Sequence, residues 1–208
     1  MKLETRKITY RLAASALAIA LIALPLAADQ GRWSIDPAHT EINFSVKHFF
    51  TPVNGSFNEY DVDLSYDPKS PEKSRVSVRI PVNSIDTGNA RRDDHLRSPD
   101  WFEADKHDTI TFVSKSVRKK GKDKLIALGD LTIKGVSREI ELPIQLLGRQ
   151  MIPEDMRKMM GGTREVAGFN ATLEIDRADF GVGVGSWAAT MVVGGRVSID
   201  ILAEAHLR

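Results

Sequence analysis

From residue 42 onward, apolar residues recur at every second position in run after run, and few folds accommodate a chain patterned this way. Ile42, Phe44 and Val46 alternate with Asn43, Ser45 and Lys47, and Tyr60, Val62, Leu64 and Tyr66 alternate with Asp61, Asp63 and Ser65. Val76, Val78, Ile80 and Val82 repeat the pattern, as do Ile110 with Phe112 and Leu131 with Ile133. Ile140 to Leu146, Phe169 to Ile175 and Val197 to Ala205 complete the series. Successive side chains on a strand point to opposite faces, so this period means strands with one buried and one wet face. Turn chemistry separates them at Asn54-Gly55, Asp67-Pro68, Lys120-Gly121-Lys122-Asp123 and Lys134-Gly135. About eight antiparallel strands close as a sandwich or as an up-and-down barrel. Hairpin punctuation in chain order, without a pair of immunoglobulin-type cysteines, favours the barrel. The prediction is an all-β chain forming a single eight-stranded antiparallel barrel with one or two short helices in its connections. An interior of that size is either filled by side chains or holds one small ligand.

Two segments break the period. Ser84 to Ala104 is far longer than the usual strand connection of about two to five residues, and it carries Asp86, Arg91, Arg92, Asp93, Asp94, His95, Arg97, Trp101 and Phe102. Long ordered connections on a rigid scaffold are where binding groups concentrate. Ser98 followed by Pro99 reads as an N-cap with proline at the first helical position, which predicts a short helix beginning there. The second segment is Gly148 to Gly168, where Pro153 to Met160 has helical composition with an acidic first turn and Gly161-Gly162 to stop it.

The amino terminus has a different logic. Lys2, Arg6, Lys7 and Arg11 precede the apolar run Leu12 to Leu24, and Pro25-Leu26-Ala27-Ala28 follows. This is the pattern of a secretory signal, and the run is short for a membrane span of about 20 residues. Residues 1–28 are read as a signal peptide cleaved after Ala28, and residues 29–208 as the barrel domain. Removing that segment takes Lys plus Arg from 29 to 25 and Asp plus Glu from 28 to 27, so the net charge moves from +1 to −2. A near-neutral balance gives no support for a nucleic-acid partner. The chain has no cysteine, which removes disulfides, thiolate metal sites and cysteine nucleophiles from consideration.

Gly181-Val182-Gly183-Val184-Gly185 falls short of a dinucleotide loop. The third glycine of that motif would have to stand at Ser186, and no strand–turn–helix unit surrounds it. It reads as a connection, with Trp187 covering one end of the core. The histidines are His39, His48, His95, His107 and His206, and their spacing matches no zinc motif. No metal site and no cofactor are expected, although a barrel could bring His39, His48 and His95 together. No nucleophile elbow is present. Asp93, Asp94 and His95 are chemically capable of acid–base work, but a mixed-charge run is more commonly a solvated cap. No catalytic residue is assigned and no enzyme is expected. Arg91 and Arg92 suit an anion, because a guanidinium fork matches two oxygens of a phosphate or carboxylate. The alternative is that Arg92 pairs with Asp86, Asp93 or Asp100.

Trp33-Ser34-Ile35-Asp36-Pro37-Ala38-His39-Thr40, followed by Phe44-Ser45-Val46-Lys47-His48, resembles the opening of the YceI-like family. Ile85-Asp86-Thr87-Gly88-Asn89, Arg92-Asp93, His95-Leu96-Arg97-Ser98 and Trp101-Phe102 resemble its central signature. Thr109 to Phe112, Gly129 to Val136 and Asp179-Phe180-Gly181 resemble its later parts. The likeness runs from about Trp33 to Ala205. It implies a lipocalin-like barrel, export to the periplasm and a link to stress responses. It also implies binding of long apolar chains in an elongated pore: polyisoprenoids, quinones or fatty-acid derivatives. The segments Arg149 to Val166, with Met151, Met156, Met159 and Met160, and Val184 to Val193 depart from the family pattern.

Under that resemblance the partner is an isoprenoid or acyl lipid that the protein carries or sequesters. The expected pore residues are Phe44, Val46, Val78, Ile80, Phe112, Leu131, Ile133, Leu173 and Ile175, with Arg92, Asp93 and His95 at the headgroup end. Pairing of two copies through an exposed final strand, and transient association with a membrane, are compatible with this. Two other readings stand beside it. One is a metal-responsive or protein-interaction stress module with a packed barrel, against which the small residues Ala127, Gly129 and Ala171 count. The other is an enzyme acting on an isoprenoid or acyl substrate, which needs acid–base groups inside the pore.

Overall fold

The computed structural model describes residues 32–189 and 191–208, so the signal-peptide reading of residues 1–28 lies outside the described residues. The alternating runs form the strands β2 (Glu41–His48), β4 (Asp61–Ser65), β5 (Arg75–Pro81), β7 (Thr109–Lys119), β8 (Lys124–Ile133), β9 (Val136–Met151), β10 (Glu165–Asp176) and β11 (Val193–Leu207). Three further strands carry too little alternation to be read locally: β1 (Arg32–Ile35), β3 (Thr51–Phe57) and β6 (Ile85–Asp86). β1 has four residues and β6 two, while β3 contains Pro52 and Gly55, both unfavourable within a strand.

β1, β4, β5, β7, β8, β9, β10 and β11 are hydrogen-bonded in that order, and β11 returns to β1. The result is the expected closed, eight-stranded antiparallel barrel. The strand that closes it is β1 rather than the more strongly patterned β2. β11 divides its free edge between the two: Ala205 to Leu207 pair with β1, and Val193 to Leu202 pair with β2. From β2 the sheet branches outward through β3 to β6. Its other edge is covered by β10 from Arg196 to Leu207, so β11 offers no open edge for a second copy, contrary to the expectation from sequence. Register shifts at Ser114/Ser116, Gly168/Phe169 and Val193/Val197 mark where strands bend.

A single 3-10 turn, Pro37–His39, joins β1 to β2. Asp36 caps it, its carboxylate accepting from the Ala38 N–H at 3.0 Å. The hydrogen bond from His39 and that from Ala38 hold the Asp36 carboxyl below the usual carboxylate range.

The first helix is displaced from its expected place. α1 spans Ala90–Arg97, with Asn89 as N-cap accepting from the Arg92 N–H at 3.2 Å. Ser98 closes this helix instead of opening one, and Pro99 follows because it cannot continue the helical hydrogen-bond ladder. α2 (Glu154–Arg157) lies inside the predicted second helical stretch. It ends through Gly161 and Gly162, both at positive φ, with the Gly162 N–H bonded to the Arg157 carbonyl.

One end of the barrel is sealed by aromatic rings. The Trp33 indole N–H donates to the Tyr66 carbonyl at 2.9 Å, and Tyr66 meets the Phe169 ring edge-on at 5.3 Å. Burial raises the Tyr66 phenol above its ordinary pKa. α1 and the Gly181 to Trp187 connection lie at the other end.

Candidate ligand-binding site

A cavity of about 430 Å³ occupies the barrel. Ile35, Tyr66, Leu125 and Ile144 line it near the sealed end, and His95, Phe102, Val182 and Trp187 line it near the other. Leu125 and Ile133, eight residues apart on β8, both face it. At about 3.3 Å per residue and a barrel tilt of about 40°, the cavity runs roughly 20 Å along the axis. Eight strands would allow side chains to fill this interior, but here the centre stays open. A fully packed barrel, one of the alternatives from sequence, is therefore not what this chain forms.

Period two fixes which face each strand residue takes, and all nine expected pore residues line the cavity: Phe44, Val46, Val78, Ile80, Phe112, Leu131, Ile133, Leu173 and Ile175. Two glycines make room for the aromatic rings. Gly55 stands opposite Phe44 in the β2–β3 register, where a Cβ would overlap the Phe44 ring. A Cβ at Gly129 would come within 2.8 Å of Phe112 Cζ. Ala171 also faces the cavity, whereas Ala127 is fully buried in the wall.

The charged lid divides in a way the sequence left open. Arg92 and His95, three residues apart on α1, share one face of the helix and both line the cavity. Asp93 does not. It is buried beside the cavity wall, and its Oδ1 accepts from both the Thr87 N–H and the Thr87 hydroxyl. Arg92 reaches the same threonine from the other side, donating from Nε to Thr87 Oγ1 and from Nη2 to the Thr87 carbonyl, each at 2.7 Å. Arg92 makes no direct ion pair with Asp86, Asp93 or Asp100: the Thr87 hydroxyl relays it to Asp93. The guanidinium has five N–H donors, so those beyond these two bonds remain available.

His95 sits among rings. Trp187 lies 4.9 Å away and Trp101 5.9 Å, and the Trp101 indole N–H donates to His95 Nε2 at 3.3 Å. Indole is a donor only, so the accepting nitrogen carries no proton and the ring's N–H is on Nδ1.

Arg177 was not anticipated. It is 4% exposed, and its guanidinium donates to five main-chain carbonyls: Gly194 from Nε, Val182 and Gly183 from Nη1, Trp187 and Val193 from Nη2. It also lies over the Trp101 ring at 5.3 Å. Burial lowers its pKa from the ordinary arginine value. The signal in the sequence was the glycine alternation that follows. Gly181, Gly183 and Gly185 all have positive φ, which turns successive carbonyls so that the loop wraps the guanidinium.

The cavity wall is apolar apart from a few groups that include Arg75, Arg92, Arg177, His48 and His95, and among the described residues no carboxylate or lysine lines it. Such a space accepts a long hydrocarbon along the axis and an oxygen-bearing group under the lid.

A family model described as the YceI-like domain matches residues 33–205. A UPF0312 protein of Vibrio cholerae is 38% identical over 168 residues, 79% of this chain and 85% of its own. Among solved structures, BcnA of Burkholderia cenocepacia superposes with a TM-score of 0.73 at 26% identity, over 82% of this chain and 99% of its own. A polyisoprenoid-binding domain from Saccharophagus degradans, implicated in plant cell wall breakdown, superposes with a TM-score of 0.60 at 17% identity, over 86% of this chain and 99% of its own, a likeness of fold.

Proposed function

The chain belongs to the YceI-like family, and from that premise and its cavity we propose that it binds one long-chain amphiphilic lipid inside the barrel, carrying or sequestering it in the periplasm. The observation that carries this is the continuous apolar cavity of about 430 Å³ beneath a lid of arginine and histidine. Each methylene moved out of water contributes about 0.8 kcal/mol, so a chain filling the axis binds tightly with few polar contacts. Under the lid, Arg92 and the His95 Nδ1–H offer donors without an opposing carboxylate, which suits a phosphate, a carboxylate or a quinone carbonyl. Polyisoprenoids, quinones and fatty-acid derivatives all meet that description. The structural likeness to a domain named for polyisoprenoid binding agrees with the first of these.

The reading is of binding rather than catalysis. An enzyme working on the lipid would need a general acid or base at the reacting carbon; His48 and His95 are the lining groups with that chemistry, and among the described residues no carboxylate or lysine lines the cavity beside them. The periplasmic location rests on the signal pattern of residues 1–28.

The test is native mass spectrometry of the protein purified from its own host, with lipid extraction of the same sample. One bound mass per chain that extracts as an isoprenoid, quinone or acyl lipid is the expected result. A bare protein mass that stays bare after incubation with such lipids would overturn the proposal.

A further inference from the structure

On the outer face of the barrel, where β11 exchanges β2 for β1, four ligating side chains from opposite ends of the sequence converge. Ile35 pairs with Ala205 and Ser34 with His206, so Glu204 and His206 project from the outer face of β11 beside the end of β1. Asp36 and His39 enter from the 3-10 turn that follows β1. The donor atoms form a ring in which oxygen and nitrogen alternate. Asp36 Oδ2 lies 2.8 Å from His39 Nδ1 and 3.9 Å from His206 Nε2. Glu204 Oε1 lies 2.8 Å from His206 Nε2 and 3.9 Å from His39 Nδ1. Each carboxylate thus stands between both imidazoles, which is more than an ordinary ion pair requires.

The ring is held by the backbone. The Asp36 N–H donates to the Glu204 carbonyl at 2.9 Å, and the Glu204 N–H donates to Thr40 Oγ1 at 3.1 Å. Asp36 Oδ1 is committed to the Ala38 N–H, which leaves Oδ2 turned toward the two imidazoles. Asp36, Glu204 and His206 are largely covered, while the His39 side chain is 66% exposed and leaves a route from solvent. Asp36, His39 and Glu204 bring their ligand atoms within 4.8 Å of one another, and His206 joins this set through its contacts with Asp36 and Glu204.

We propose that Asp36, His39, Glu204 and His206 form a four-ligand site for a divalent transition-metal ion. Two imidazole nitrogens and two carboxylate oxygens suit zinc-like ions of borderline softness, and two carboxylates with two neutral imidazoles balance a double positive charge. A tetrahedral ion with bonds of about 2.0 Å spaces its donors about 3.3 Å apart, between the two distances found here. The carboxylate–imidazole distances change by about half an ångström to reach that spacing, and His206, which stands outside the set within 4.8 Å, swings toward His39 to complete the four. The site ties the first strand to the last, outside the cavity, and does not rest on the lipid proposal.

The probe is zinc chloride, titrated calorimetrically into chelator-treated protein at pH 7.5. One ion per chain is expected. His39→Ala with His206→Ala should weaken the binding at least a hundredfold, Glu204→Gln at least tenfold, and the control His107→Ala less than twofold. Glu204→Gln keeps the side-chain shape, so it remains informative if the double variant fails to fold. Anomalous scattering at the zinc edge should place the ion among the four residues. Absence of zinc binding, or binding of equal strength in wild type and Glu204→Gln, would overturn the proposal.

Discussion

Gly183 leaves open the space through which the Arg177 guanidinium passes: a Cβ built there would overlap Nη1, and the backbone φ is +77°. The two residues form one device. The arginine fills a loop whose carbonyls turn inward onto it, and the glycine lets the loop close. Gly183→Ala should therefore cost about 3 kcal/mol, from strained backbone and a displaced arginine together. Gly181→Ala should cost only about 1 kcal/mol, because its φ is +65° but nothing lies within 4 Å of a Cβ there. Urea unfolding of both variants checks this. Equal losses would mean that the contact with Arg177 is immaterial.

Ala171 faces the cavity from β10. Ala171→Trp should fill part of the axis, leave a folded barrel and reduce retained lipid at least tenfold by native mass spectrometry. A folded variant with full retention would place the ligand elsewhere.

Arg92→Ala should weaken an anionic lipid at least tenfold and a neutral lipid of the same chain length by less than threefold, because only the anion uses the free guanidinium donors. Fluorescence displacement with matched lipids separates the two. Equal losses would assign Arg92 a purely structural role through Thr87.

Thr163 is fully buried, and its hydroxyl has no partner. Thr163→Val keeps the shape and removes the cost of burying an unsatisfied hydroxyl. Stability should rise by about 1 kcal/mol, seen as a Tm increase of about 2–4 °C. A fall in Tm would indicate that the hydroxyl does find a partner.

Glu165 is buried, and its carboxylate is met by the Arg149 Nε at 2.6 Å and by Nη2 as well. Arg149→Met should leave that charge without its partner and cost about 2–3 kcal/mol, less than for a fully buried pair because the arginine is partly exposed. Arg149→Met combined with Glu165→Gln should recover most of the loss. Failure of the second change to restore stability would show that packing of the arginine stem, rather than charge, is what matters.

What was legible in the sequence was whatever depends on neighbours along the chain. The two-residue period marks β2, β4, β5 and β7 to β11, and because alternation also fixes the face, it placed Phe44, Phe112, Leu173 and the other expected residues on the cavity wall. The lid was legible as a long polar connection, but not in its detail. Ser98-Pro99 reads equally as the start of a helix or as the residues after one, and the capping side chain of Asn89 decides between them.

Tertiary structure alone decided what depends on residues far apart in the chain. β1 has only four residues and closes the barrel because β4 and β11 both pair with it, a meeting that brings Ser34 to His206 across 172 positions. The same closure assembles Asp36, His39, Glu204 and His206, whose spacing in sequence matches no motif. It also encloses Arg177 in carbonyls of loop and strand that no local pattern assigns to it. Side-chain direction is a property of one strand, and so the sequence determines it. Hydrogen-bond partners and ligand clusters are properties of strand order, and only the closed barrel sets that.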